Sequence, residues 1–125
     1  MNHRTKKNYF TEEEQSCNCC GENKFNSETL QRFNDLRAYL GFAMNMTSGY
    51  RCPAYNKLKG YTQTHATGQA GDIESSHKQA YAIIKHAPKF GFTGIGVKQK
   101  GNKRFIHLDD LEEIEGRPRP HIWSY

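Results

Sequence analysis

Gly91-Phe92-Thr93-Gly94-Ile95-Gly96-Val97 and Lys103-Arg104-Phe105-Ile106-His107-Leu108-Asp109 are the two stretches on which the fold turns. Each reads as a strand, and the polar run Lys98-Gln99-Lys100-Gly101-Asn102 between them makes a hairpin the simplest connection. On the second strand the period of two sets Phe105, His107 and Asp109 on one face. An imidazole and a carboxylate therefore share one side of a sheet.

Working outward, Gln69 to Glu74 alternates Ala70, Asp72 and Glu74 against Gly71 and Ile73, as a short strand does. Met44 to Arg51 reads as another strand running into a Ser48-Gly49 turn, which holds Arg51 at a strand end, and Pro53 opens a brief helix through Lys59. From Ser27 the residues Leu30, Phe33, Leu36 and Leu40 recur every three or four positions, the stripe of an amphipathic helix ended near Gly41. A further helix starts near Ser76, carries Ala80, Ile83, Ile84 and Ala87, and stops at Pro88. Thr11 caps an acidic turn, Glu12 to Glu14. The tail from Arg117 to Tyr125 is too rich in proline for a helix and too aromatic for a solvated end, so it packs down. The reading is a single α+β domain over residues 9–125, helices on a small antiparallel sheet, after a flexible N-terminus of residues 1–8.

A chain of 125 residues has length for one core, and 35% hydrophobic with 12% aromatic residues argues against disorder. The net charge of +5 is dispersed, which suits any polyanion and selects none, and no nucleic-acid motif accompanies it. There is no apolar run of membrane-spanning length and no apolar segment behind the polar start, so the expectation is a chain that is cytoplasmic at synthesis, monomeric and not inserted in a membrane.

Cys17, Cys19, Cys20 and Cys52 all lie in the first half. In a reducing compartment such a group supplies thiols or metal ligands more often than a disulfide framework. A structural zinc with Cys52 as fourth ligand is one reading, without the paired Cys-x2-Cys spacing that makes such sites distinctive. Partly buried free thiols, or a single bridge, is the other.

His65 and Asp72 are separated by small residues, Ala66, Gly68, Ala70 and Gly71, which let the backbone turn tightly. With His107 they make two imidazoles and one carboxylate, a set that holds catalytic Zn²⁺ and leaves its fourth position to water. On spacing alone, His65 reads equally as a loop histidine and Asp72 as a turn or capping residue. His3, His77 and His86 read as surface residues.

Four motifs in order, Thr47-Ser48-Gly49-Tyr50-Arg51-Cys52-Pro53 with Asn56, His65-x-x-Gly68-x-Ala70-x-Asp72-Ile73, Gly91-Phe92-x-Gly94-Ile95-Gly96 and Phe105-Ile106-His107-Leu108-Asp109, carry a resemblance. From about Tyr9 to Tyr125 the chain resembles the small zinc peptidases of the M15 family, the D-Ala-D-Ala carboxypeptidase-like group that includes phage endolysins and shares its fold with the Hedgehog signalling domain. Trp123-Ser124-Tyr125 after Arg117-Pro118 also resembles the end of such domains.

The resemblance implies that His65, Asp72 and His107 bind Zn²⁺ and that Arg51 holds a substrate carboxylate or steadies a developing oxyanion. It implies amide hydrolysis in peptidoglycan stem peptides by a D-Ala-D-Ala carboxypeptidase or an endopeptidase of the phage endolysin kind, reaching the wall through a separate membrane pore. Trp123 and Tyr50 are candidate walls of the peptide cleft, with core or lid packing as the other reading. Two positions depart from the family. Relatives carry an acidic residue three before the second zinc histidine, or a histidine two before it, where this chain has Arg104 and Phe105. Relatives usually have serine two before the first histidine, where this chain has Gln63. Asp109 is then the first candidate for the base, or for a partner orienting a ligand imidazole, ahead of His121, Asp110 and Glu112. The alternatives are a zinc-containing module that binds peptide or wall without cleaving, and a small metal-stabilised nucleic-acid binder.

Overall fold

The computed structural model describes residues 4–125, so His3 and the rest of residues 1–3 lie outside it. The expected hairpin forms the middle of the structure. Strand β3 (Gly94–Lys98) pairs antiparallel with β4 (Phe105–Asp109), and β4 pairs antiparallel with β2 (Ala70–Glu74). Strand β1 (Asn45–Ser48) adds antiparallel to β2 through a bulge between Met46 and Ser48. The sheet order is β1-β2-β4-β3-β5.

Strand β5 (His121–Ser124) changes the architecture expected from the sequence. The tail does pack down, but it does so by pairing parallel to β3, from Gly94↔His121 to Val97↔Ser124. The sheet is therefore mixed, not wholly antiparallel. The physical reason is that β3, an edge strand in a simple hairpin, has unpaired backbone groups that the returning tail satisfies.

Helices α1 (Glu12–Gln15), α2 (Ser27–Leu40), α3 (Pro53–Lys59) and α4 (His77–His86) have the expected signals at their ends. Thr11 and Glu14 form a reciprocal capping box on α1, and Asn26 accepts from Thr29 N–H at the start of α2. Past α4 the chain does not stop at Pro88 but continues through a 3-10 turn, Ala87–Phe90, whose first positions tolerate a residue without N–H.

One face of the sheet packs on helices. Ile73, Ile106 and Leu108 are fully buried there together with Phe33, Leu36 and Ile83, each contributing roughly 1.5–3 kcal/mol relative to exposure. Phe33 meets Phe92 edge-on at 4.7 Å. Leu30 and Leu40 of the predicted stripe are only partly buried, and Thr29 and Asn34 take buried places instead. Asn34 uses its place to accept the Tyr9 N–H at 2.8 Å, and Asp35 of the same helix accepts from Thr5 N–H, which lays the N-terminal segment along α2. No helix among the described residues is long and apolar enough to cross a membrane.

Candidate metal centre and substrate cavity

The other face of the sheet carries the chemistry. Register aligns Asp72 on β2 with His107 on β4, His107 with Gly96 on β3, and Gly96 with Trp123 on β5. This row exists only because Gly96 has no side chain: a Cβ there would stand 2.7 Å from Trp123 Nε1, so the indole slides over the strand toward His107. Trp123 and His107 rings lie 5.1 Å apart. One pair along, a Cβ at Gly94 would overlap the Asp109 carboxylate. The Gly94-Ile95-Gly96 motif is thus a space for two side chains from neighbouring strands.

His65 comes to the row from outside the sheet, on a 3-10 turn, Thr64–Thr67, that leads into β2. Its Nδ1 donates to Gly49 O at 2.8 Å, and since a carbonyl only accepts, Nε2 carries the lone pair. His107 is fixed the opposite way. Its Nε2 donates to Asp109 Oδ2 at 2.7 Å, which leaves Nδ1 as the lone pair. The two free nitrogens lie 3.2 Å apart, and Asp72 Oδ1 is 3.3 Å from His65 Nε2 and 3.1 Å from His107 Nδ1.

With both imidazoles neutral, three acceptors converge with no donor among them, an arrangement that a cation satisfies. The edges match: a tetrahedron with metal–ligand bonds of about 2.0 Å has edges of about 3.3 Å. All three residues are buried, at 2%, 8% and 2% exposure for His65, Asp72 and His107. Burial pushes Asp72 up, but the charges and hydrogen bonds of His65 and His107 outweigh it and hold the carboxyl well below its usual range. Burial likewise opposes a charged His107, and the bonds to Asp109 and Asp72 overcome it and raise the imidazole. The site is built for positive charge, which a proton or a metal supplies. His, His and a carboxylate form a donor set suited to zinc.

Asp109 is fully buried behind His107. Arg119 reaches it with two parallel bonds, Nε to Oδ1 at 2.9 Å and Nη2 to Oδ2 at 2.8 Å. Burial again opposes the charged form, and the bonds from His107 and Arg119 draw the carboxyl down to about 2. Arg119 was not legible as a site residue, because only the parallel pairing of β5 brings it beside β4. The guanidinium also covers the Trp123 ring at 5.1 Å, so tail and ligand shell hold one another.

Above the row is a cavity of about 960 Å³. His65, Asp72 and His107 line it together with Arg51 and Trp123, so the structure brings these five predicted residues to one place. Arg51 has no carboxylate within ion-pair distance among the described residues; its guanidinium lies 4.7 Å over the Tyr61 ring, and its buried Nε has no partner. Lys98, Arg117 and Arg119 also line the cavity, and among the described residues Asp72 is the one acidic side chain in its lining, so the field favours an anionic ligand. Gln63, at the rim, accepts from Asn56 Nδ2 at 3.3 Å.

Tyr50 is not brought to this cavity. It is 4% exposed, and its backbone N–H bonds Gln15 O beneath α1, which is the packing reading of that residue. Of the remaining base candidates, His121 lines the cavity and stacks on Trp123 at 5.5 Å. Asp110 lies outside the cavity lining, accepting from the Thr29 hydroxyl and ion-paired with Arg32, and Glu112 is exposed outside it as well.

The family model described as peptidase M15 matches residues 5–109, a span that contains all three converging residues and ends before β5. No match was found among curated proteins or among solved structures. The chain belongs to the peptidase M15 family.

Proposed function

We propose that the protein is a zinc-dependent peptidase that hydrolyses peptide bonds in the stem peptides of bacterial peptidoglycan, as a D-Ala-D-Ala carboxypeptidase or a phage endolysin-like endopeptidase. The observation that carries the reading is the triangle of His65 Nε2, His107 Nδ1 and Asp72 Oδ1, three lone pairs with edges of 3.1–3.3 Å at the floor of a cationic cavity.

These three residues hold the metal. When bound, zinc supplies a Lewis acid that polarises the scissile carbonyl and makes a water acidic enough to attack near neutral pH. The rest falls to the chain. Arg51, charged at every working pH and without a carboxylate partner, takes a substrate carboxylate or the developing oxyanion. Stem peptides carry several carboxylates, which suits a cavity with Lys98 and Arg117 on its walls. Trp123 forms an apolar wall beside His107. Asp109, held by Arg119, fixes the His107 tautomer and serves as a positioning residue. His121, on the cavity wall beside Trp123, is the candidate to carry a proton between water and the leaving amine.

The test is mass spectrometry of material released from purified peptidoglycan by zinc-loaded protein, with His65→Ala beside it. New stem-peptide fragments from the wild type alone support the reading, and their masses name the bond. A second reading, a module that binds wall peptide without cutting it, draws on Arg104 and Phe105 standing where relatives carry an acid or a histidine. It predicts metal-dependent binding to peptidoglycan and no fragments.

A further inference from the structure

A second group of metal-capable side chains stands apart from the cavity. The sulfur atoms of Cys17, Cys20 and Cys52 all lie within 4.8 Å of one another, and none is bridged. Cys17 and Cys20 sit in the turn after α1, closed by Gly21 N–H to Cys17 O at 2.9 Å and by Cys17 N–H to Glu22 O at 2.9 Å. Cys52 comes from the N-cap of α3, next to Arg51. The Cys17 sulfur accepts backbone N–H groups from Cys19 at 3.4 Å and from Cys52 at 3.3 Å.

Backbone N–H groups aimed at the Cys17 sulfur offset the negative charge it carries as a thiolate ligand. Three sulfurs from two chain segments, converging over a turn of the form Cys-x-x-Cys-Gly, are what a borderline-soft divalent cation requires. A disulfide would use two of them and leave the third beside it without a role.

We propose that Cys17, Cys20 and Cys52 form a second, structural metal site for zinc or a cation of similar softness, separate from the His65, Asp72 and His107 centre. Binding displaces the thiol protons, one from each sulfur, with no change of oxidation state. The fourth position is left for an exogenous ligand or for Cys19, which is exposed beside Cys20. The site clips the turn after α1 to the loop that does the most for the cavity. Gly49 of that loop accepts from His65 Nδ1, Tyr50 N–H bonds Gln15 O, and Arg51 N–H bonds His65 O at 3.3 Å. A cation at the cysteines therefore braces the backbone that orients one histidine and presents Arg51.

Cobalt(II) tests this without reference to turnover, because thiolate-to-cobalt charge transfer gives an intense near-ultraviolet band that imidazole and carboxylate ligands do not give. Protein purified under reductant should bind two equivalents and show the band. A His65→Ala/His107→Ala variant should bind one equivalent and keep the band at full strength. Cys20→Ser, at an exposed position that a folded chain tolerates, should also bind one equivalent but lose most of the band; Cys19→Ser reads the fourth ligand by shifting the band or leaving it. One equivalent and no band in reduced wild type would overturn the proposal, as would loss of the band in the histidine variant, or four freely titrating thiols in metal-loaded protein. Failure of the peptidase reading is separate: it leaves the band intact and the peptidoglycan uncut.

Discussion

The two triads differ in what positions them. His65, Asp72 and His107 stand on a sheet register and a turn packed against it, each imidazole locked by a hydrogen bond on its far side. Cys17, Cys20 and Cys52 stand on turns at the surface, with only Cys17 fully buried and its sulfur held by backbone N–H groups. The first set is preorganised by the fold before any cation arrives, which catalysis needs. The second would gain further order by closing on a cation, as the proposed clip. The difference teaches that donors locked by hydrogen bonds on a sheet and on the turn packed against it keep their places without a cation, whereas donors on surface turns have more order to gain from one.

The most damaging change to the first set is His107→Ala or Asp72→Ala. Each removes one of the three proposed ligands, so peptide hydrolysis and the tight equivalent of metal at this centre should both be lost, as read by metal analysis beside the fragment assay. Arg51→Ala should come next. Loss of a charge facing the developing oxyanion costs about 10²–10³-fold in kcat/KM, with metal content unchanged. An equal loss with Arg51→Lys would show that the forked geometry matters, not the charge alone.

Asp109→Asn sharpens the comparison, since it tests whether far-side support is what distinguishes the sheet triad. Its metal affinity or activity should fall about 10–100-fold. The same change leaves Arg119 without its buried partner, for which about 3–5 kcal/mol of stability is the scale of a broken buried pair. Against burial, the bond from His107 first and from Arg119 second draws the Asp109 carboxyl down to about 2 against an ordinary 3.8, so what the two contribute together is complete above about pH 4 and is lost as pH falls through about 2. Acid unfolding of wild type and variant should therefore converge at the low end; parallel curves would contradict the pairing.

Gly96→Ala tests the row itself. A methyl group 2.7 Å from Trp123 Nε1 displaces the indole and loosens β5, at about 1–3 kcal/mol. Weaker tryptophan burial in fluorescence, with metal still bound, is the expected signature. The smallest effect is expected from Cys20→Ser on activity: a few-fold loss through the Arg51 loop, with a lower thermal midpoint only in metal-loaded protein.

How far the sequence reached follows the same divide. Period-two alternation placed Asp72, His107 and Asp109 on strands because local patterning dictates which face a strand residue takes. The helix from Ser27 ended near Gly41, the brief helix opened by Pro53 and the hairpin were legible for the same local reason, while the Asn26 cap was not read. The chain does not announce long-range pairing. The Pro118 and Pro120 tail reads as a non-helical segment that packs down, without a sign of where; it forms β5 parallel to β3, and that brings Arg119 to Asp109 and Trp123 over His107. Tyr50 shows the converse, a residue in a family motif that turns inward beneath α1 because its backbone is bonded to Gln15. The cysteines were ambiguous in one dimension, because their spacing is silent on where Cys52 returns, and the structure returns it to the Cys17 sulfur.

Anomalous diffraction at the zinc edge from zinc-loaded crystals tests the central claim most directly. The account predicts a peak equidistant from His65 Nε2, His107 Nδ1 and Asp72 Oδ1, about 2.0 Å from each, with the fourth position facing the cavity. Protein that cleaves peptidoglycan yet shows no peak between these three atoms would contradict it.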